Sequence, residues 1–202
     1  MRPMIHAGDR NFEQRGTNPW FVRYSVARTG GQRLFCFPYA GGSANIFRAW
    51  AERMPSTVAV SGVQPPSRGS RLLEPPYTSV HELVSDLLDA LTPLLHDKPF
   101  SFFGHSNGAL VAFELSCVLQ RHRLPMPQRL FLSASPAPWA RVFDQPYSQM
   151  SDETFKAMLR DFNGTPQEIL DDVDLFPLLL PGLRADFSMS EGYRYTHARK
   201  LA

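Results

Sequence analysis

The sequence predicts an α/β fold, a mostly parallel sheet flanked by helices on both faces. Three observations predict it. Short apolar runs alternate with stretches of helical apolar spacing, the connections between them are short, and a Gly-x-Ser-x-Gly turn joins one such run to one such helix.

Residues 21–26 read as an edge strand, and residues 34–37, 58–63, 100–103 and 130–133 as core strands. Helices are expected over residues 46–53, 80–95 and 109–122. In the second of these, Val80, Leu83, Val84, Leu87, Leu88, Leu91 and Leu95 recur at helical spacing and form one buried stripe. After Ser135-Pro-Ala-Pro138 the character changes. Helical stretches at 152–161 and 167–170 are broken by Asn163-Gly164, Pro166, Pro177 and Pro181. Phe176, Leu178, Leu179, Leu180 and Leu183 are dense apolar residues without strand flanks. The segment reads as a helical lid whose apolar residues either line a ligand channel or pack the lid on the core. The expected organisation is a disordered segment at 1–17, which is polar and aperiodic, a core at 18–143, a lid at 144–195, and the truncated end of the core at 196–202.

Ser106 is the leading candidate for chemistry. It lies in Gly104-His105-Ser106-Asn107-Gly108, after the run Phe100-Ser101-Phe102-Phe103 and before a helical stretch. A serine on a sharp turn between strand and helix is the nucleophile elbow of an α/β-hydrolase, whereas the bare five-residue pattern also occurs in ordinary Gly-rich turns. The glycines fit a turn too tight for side chains, and the helix N-terminus favours negative charge beside the serine. Upstream, the apolar run ending at Tyr39 opens into Ala40-Gly41-Gly42-Ser43. A Gly-rich loop after an early strand supplies an oxyanion donor in such enzymes, because an acyl-transfer intermediate carries a negative oxygen. The plain alternative is a strand-to-helix turn with no ligand.

Several separate motifs stand in the order of one family. They are Phe37-Pro38-Tyr39-Ala40-Gly41-Gly42-Ser43, Gln64-Pro65-Pro66-Ser67-Arg68-Gly69-Ser70-Arg71, Glu74-Pro75-Pro76, Phe102-Phe103-Gly104-His105-Ser106, and Leu180-Pro181-Gly182-Leu183-Arg184-Ala185-Asp186. From Leu34 to Lys200 the chain resembles the type II thioesterases of polyketide and nonribosomal peptide synthesis, and is similar to the medium-chain thioesterase of animal fatty acid synthesis. The resemblance implies hydrolysis of acyl or aminoacyl groups from the phosphopantetheine arms of acyl or peptidyl carrier proteins. It gives Ser106 the nucleophilic role and the N–H groups of Ala40 and Asn107 the oxyanion.

The chain departs from that family in three places. Asn107 stands where the family usually has Met, and Pro66-Ser67-Arg68 stands for Pro-Gly-Arg. The chain ends at Ala202, so the resemblance places the triad Asp and His beyond its last residue. Internally, Asp186 and His197 satisfy the chain order of acid then base on paper, although their stretch reads as helical rather than as loops after core strands. His122 reads as a solvated helix end, and His105 as a packing or hydrogen-bonding residue whose side chain turns from the serine. Two other functions are expected to compete: a carrier-protein acyltransferase of the malonyl type, which also uses a Gly-His-Ser elbow, and a non-catalytic remnant that binds acyl chains or carrier protein.

A chain of 202 residues with 43% hydrophobic content suits one globular core. A net charge of +2 gives no argument for nucleic acid. Cys36 and Cys117 read as buried thiols rather than a disulfide framework. No apolar run reaches the ~18 residues of a membrane span and residues 1–33 lack a signal-peptide stretch, so a cytoplasmic protein without membrane partner, cofactor or metal is expected. Residues 1–33 hold six arginines against Asp9 and Glu13, and residues 144–174 hold eight acids against Lys156 and Arg160. Both read as solvated surface, the basic part alternatively as a dock for an acidic carrier protein.

Overall fold

The structure is a computed structural model that describes residues 18–28, 30–196 and 201; the segment 1–17 expected to be disordered and His197 lie outside the described residues. Strands β1 (Phe21–Arg23), β2 (Gln32–Phe37), β3 (Val58–Val63), β4 (Phe100–His105) and β5 (Leu130–Ser133) form one sheet in the order β1-β3-β2-β4-β5. Only β1 runs antiparallel, against β3. The parallel core pairs Leu34 with Val60 on one side and with Ser101 on the other.

Side-chain alternation divides the core between the two faces. Phe35 and Phe37 of β2 and Phe100 and Phe102 of β4 pack with Leu83, Leu87 and Leu91 of α2 (Val80–Leu91) and with Leu110 and Leu115 of α3 (Asn107–Arg121). Leu34, Cys36, Val60 and Phe103 face the other way, against Phe47, Trp50 and Ala51, the last two on α1 (Arg48–Arg53). The central α3 is buried almost all round, which suits a helix at the middle of the fold. Both cysteines are free and buried, and burial pushes each thiol up to about 12.

Element ends follow local chemistry. Ser79 accepts a hydrogen bond from the Glu82 N–H and starts α2, an S-x-x-E capping pattern. The expected helix 80–95 tightens into a 3₁₀ turn at Thr92–Leu94, where Pro93 has no N–H to continue the α-helical ladder. The expected helix at 46–53 begins likewise as a 3₁₀ turn, Ala44–Phe47.

The segment after β5 folds into α4 (Asp152–Phe162), α5 (Gln167–Asp171) and α6 (Leu175–Gly192). The two prolines expected to break this region do not: α6 runs through both. Pro177 falls in its first turn, where N–H groups have no partner inside the helix. Pro181 lies inside and forfeits one ladder bond. Burial of Phe176, Leu183, Ala185 and Met189 offsets that loss. Asp172 Oδ1 accepts from the N–H groups of Asp174 and Leu175 and fixes the start of α6. Two acids of this segment form ion pairs, Asp171 with Lys156 and Arg160, and Asp152 with Arg184, and both sit on exposed surface.

Candidate active site

Strand β4 ends at His105 and α3 begins at Asn107, so Ser106 alone makes the turn. Its backbone sits at φ 53°, ψ −114°, a strained conformation for a residue with a side chain. The turn is held from outside. Ser106 N–H donates to Ser133 O at 2.9 Å on β5, and Ser106 O accepts from Ala109 N–H at 3.0 Å. A Cβ on Gly104 would lie 2.3 Å from Gly108 O, and one on Gly108 would lie 2.1 Å from Phe37 O. Helix, elbow and β2 therefore approach at backbone contact, which only glycine allows.

Ser106 opens into a cavity of about 720 Å³. Ala40, Asn107, Tyr39 and His105 line it, as do Leu159 and Phe162 of α4 and Phe187 of α6. The apolar wall comes from these residues rather than from the dense run 176–183, for which the sequence left lining and packing both open. Phe176 and Leu183 pack with Phe155, Leu159 and Leu170 in a cluster of their own, which is the packing alternative. His105 is placed partly as expected: its Nδ1 lies 3.2 Å from Ser133 Oγ and its ring stands edge-on to Tyr39, yet it also borders the cavity.

The loop after β2 turns tightly, with Gly42 N–H donating to Tyr39 O at 2.9 Å. Gly41 takes φ 77°. Its N–H donates to Asp186 Oδ2 at 2.7 Å. The same carboxylate makes a two-pronged ion pair with Arg68, Nη1 to Oδ2 at 2.5 Å and Nη2 to Oδ1 at 2.9 Å. Both side chains are more than nine-tenths buried. Arg68 Nε donates in addition to Pro66 O, while Asn107 Nδ2 donates to Asp186 O at 2.7 Å. Asp186 on α6 thus ties together the loop after β2, the Pro66-Ser67-Arg68 loop and the elbow.

This occupation removes Asp186 as a triad acid: its oxygens already serve Arg68 and Gly41. His197, its partner on paper, lies outside the described residues. His122 caps the far end of α3, about 24 Å from Ser106 at 1.5 Å rise per residue, too far for proton transfer. Asn107 borders the cavity, and its Nδ2 donates to the α6 backbone at Asp186 O. The Pro66-Ser67-Arg68 loop keeps a conformation suited to glycine, with Ser67 at φ 63°.

Sequence reasoning missed two features. The Arg68–Asp186 pair joins two quoted motifs 118 positions apart, and no local pattern announces it. Arg141 also lines the cavity, and its one signal was an isolated cation in an apolar stretch. Among the described residues, no group of three or more His, Cys, Asp or Glu side chains is placed to hold a metal ion, and no helix is long and apolar enough to cross a membrane.

Residues 32–202 match the family described as thioesterase domain. The gramicidin S biosynthesis protein GrsT of Aneurinibacillus migulanus is 40% identical over 178 residues, which cover 88% of this chain and 69% of GrsT. The medium-chain S-acyl fatty acid synthase thioesterase of Homo sapiens is 34% identical over 161 residues, covering 78% of this chain and 60% of that protein. The solved structure of the type II thioesterase BorB, from the borrelidin biosynthetic cluster, is similar at a TM-score of 0.80 and 34% identity, over 90% of this chain and 73% of BorB. These are the relatives to which the ordered motifs pointed.

Proposed function

The chain belongs to the thioesterase domain family, and on that premise we propose that it hydrolyses acyl or aminoacyl groups from the phosphopantetheine arms of acyl or peptidyl carrier proteins in the cytoplasm. The observation that carries this reading is the strained serine at the junction of β4 and α3, open to a roomy, partly apolar cavity. Ser106 Oγ attacks the thioester carbonyl carbon while a histidine base takes its proton. The C–S bond then breaks and the pantetheine sulfur leaves as the thiol with that proton. Water, activated by the same base, releases the acyl group from the serine. The N–H groups of Ala40 and Asn107 hold the oxyanion in both steps. In support, Asn107 is the first residue of α3, where an N–H has no partner within the helix, and both residues border the cavity.

Among the described residues the cavity carries one histidine, His105, and no carboxylate. A paired histidine and acid are what the site requires in addition. The test is release of acid from butyryl-pantetheine by this 202-residue chain and its Ser106→Ala variant, each with and without added imidazole, a free base that stands in for a histidine. Slow, Ser106-dependent hydrolysis that imidazole accelerates is expected. An oxyanion hole and binding alone leave ~10³–10⁴-fold acceleration over water in proteases stripped of their triad, far below a complete enzyme. Release indifferent to Ser106→Ala would sink the nucleophile assignment. Rapid turnover without imidazole, abolished by Ser106→Ala, would put the base inside this chain.

A further inference from the structure

Arg141 is the one permanently charged residue lining the Ser106 cavity, and no Asp or Glu lines it among the described residues. Among the described residues its guanidinium meets neutral groups alone. Nη1 donates to Ser135 Oγ at 2.8 Å, Nη2 donates to Ser190 Oγ, and the Phe143 ring lies 5.6 Å from its central carbon. Nε is buried and has no acceptor. Burial holds its pKa below the usual arginine range. Among the described residues the buried arginines are balanced, Arg68 by Asp186 and Arg71 by Glu74, whereas half-buried Arg141 is not. Desolvating a cation without a counter-charge costs stability, and a buried N–H without an acceptor adds to that cost. A guanidinium offers five N–H groups in a planar fork that fits the two oxygens of a carboxylate or phosphate.

We infer that Arg141 is the binding point for an anionic group carried by the thioester substrate, either a carboxylate on the acyl group or the phosphate of the pantetheine arm. The inference rests on the thioesterase reading of this cavity and names the substrate chemistry that the cavity selects. Ser135 and Ser190 hold the guanidinium in place from two sides, and the incoming oxyanion takes the remaining N–H groups. The cavity is otherwise apolar or neutral, so the anion is fixed at one end while the acyl carbons lie against Leu159, Phe162 and Phe187.

Binding separates this inference from the catalytic one. Three hydrolysis-resistant amide analogues serve as probes: butyryl-pantetheine amide, which is neutral; its 4′-phosphate; and succinyl-pantetheine amide, which carries an acyl carboxylate. Their dissociation constants are measured by calorimetry with the 202-residue chain, Arg141→Gln and Arg141→Lys. At least one anionic probe is expected to bind roughly 10–100-fold more tightly than the neutral one, the range of hydrogen bonds to charged groups. Arg141→Gln should erase that preference and Arg141→Lys should keep part of it. A preference for the succinyl probe identifies an acyl carboxylate, and one for the phosphorylated probe identifies the arm. Equal binding of all three probes, or a preference that survives Arg141→Gln, overturns the role of Arg141 and leaves the thioesterase reading standing. Failure of even the neutral probe to bind overturns both.

Discussion

Ser106 and Ser67 both hold positive φ, at 53° and 63°, and for different reasons. At Ser106 the proposed chemistry needs a hydroxyl on the turn, so the strain stays and the surrounding glycines accommodate it. Ser67 lies one residue before the buried Arg68, in a left-handed conformation that costs a residue with a Cβ about 1–2 kcal/mol. Glycine there would remove that strain and add about 0.5–1 kcal/mol of unfolded-state entropy. Ser67→Gly is therefore expected to stabilise the protein by roughly 0.5–1 kcal/mol. It should raise the urea midpoint with an unchanged slope; a lower midpoint would show that the hydroxyl, which packs beside Gly182, contributes more than the backbone strain removes. The elbow was legible in the sequence because strand, glycines, serine and helix are adjacent. The strain at Ser67 was legible only as a departure from Pro-Gly-Arg, since nothing in one sequence states a backbone angle.

Helix α6 carries the site's architecture. Its Asp186 holds Gly41, Arg68 and, through its backbone oxygen, Asn107, so one helix anchors both loops proposed to supply oxyanion donors. Asp186→Asn would leave the Arg68 guanidinium buried beside a neutral amide. Breaking a buried pair in this way costs about 3–5 kcal/mol, whereas replacing both partners with apolar side chains of similar volume is often nearly neutral. Denaturation of Asp186→Asn and of the double variant Arg68→Met, Asp186→Leu should therefore differ sharply, the double variant regaining most of the stability. Ser106-dependent hydrolysis should stay low in both, because neither anchors the Gly41 N–H in its native way. Full activity in the double variant would reduce the carboxylate to a stabilising role. The five strands and the helices before residue 122 were legible from apolar period and flanking residues. Helix α6 was not, because two prolines masked it and its continuity depends on tertiary burial of Phe176 and Leu183.

Over the whole molecule, alternation of strand and helix was enough for a parallel sheet, but the order β1-β3-β2-β4-β5 is set by crossovers that no local pattern records. That order leaves two unequal edges. The β1 edge is three residues long and ends in Arg23, a short charged edge of the kind that resists further pairing. At the other edge, β5 pairs with β4 and, among the described residues, with nothing beyond it. Phe131 and Leu132 are adjacent, point to opposite faces and are 48% and 44% exposed, and Trp139 and Val142 just after the strand are exposed further. An apolar strand with open N–H and C=O groups on one side is a template for another strand. The 202-residue chain is expected to self-associate with rising concentration, a weight-average mass that sedimentation can follow. Leu132→Lys places a charge on that edge without touching Ser106 or the cavity lining, and should shift the distribution toward monomer. A parent chain that stays monomeric across micromolar to millimolar concentration would mean that the β5 edge is shielded in solution.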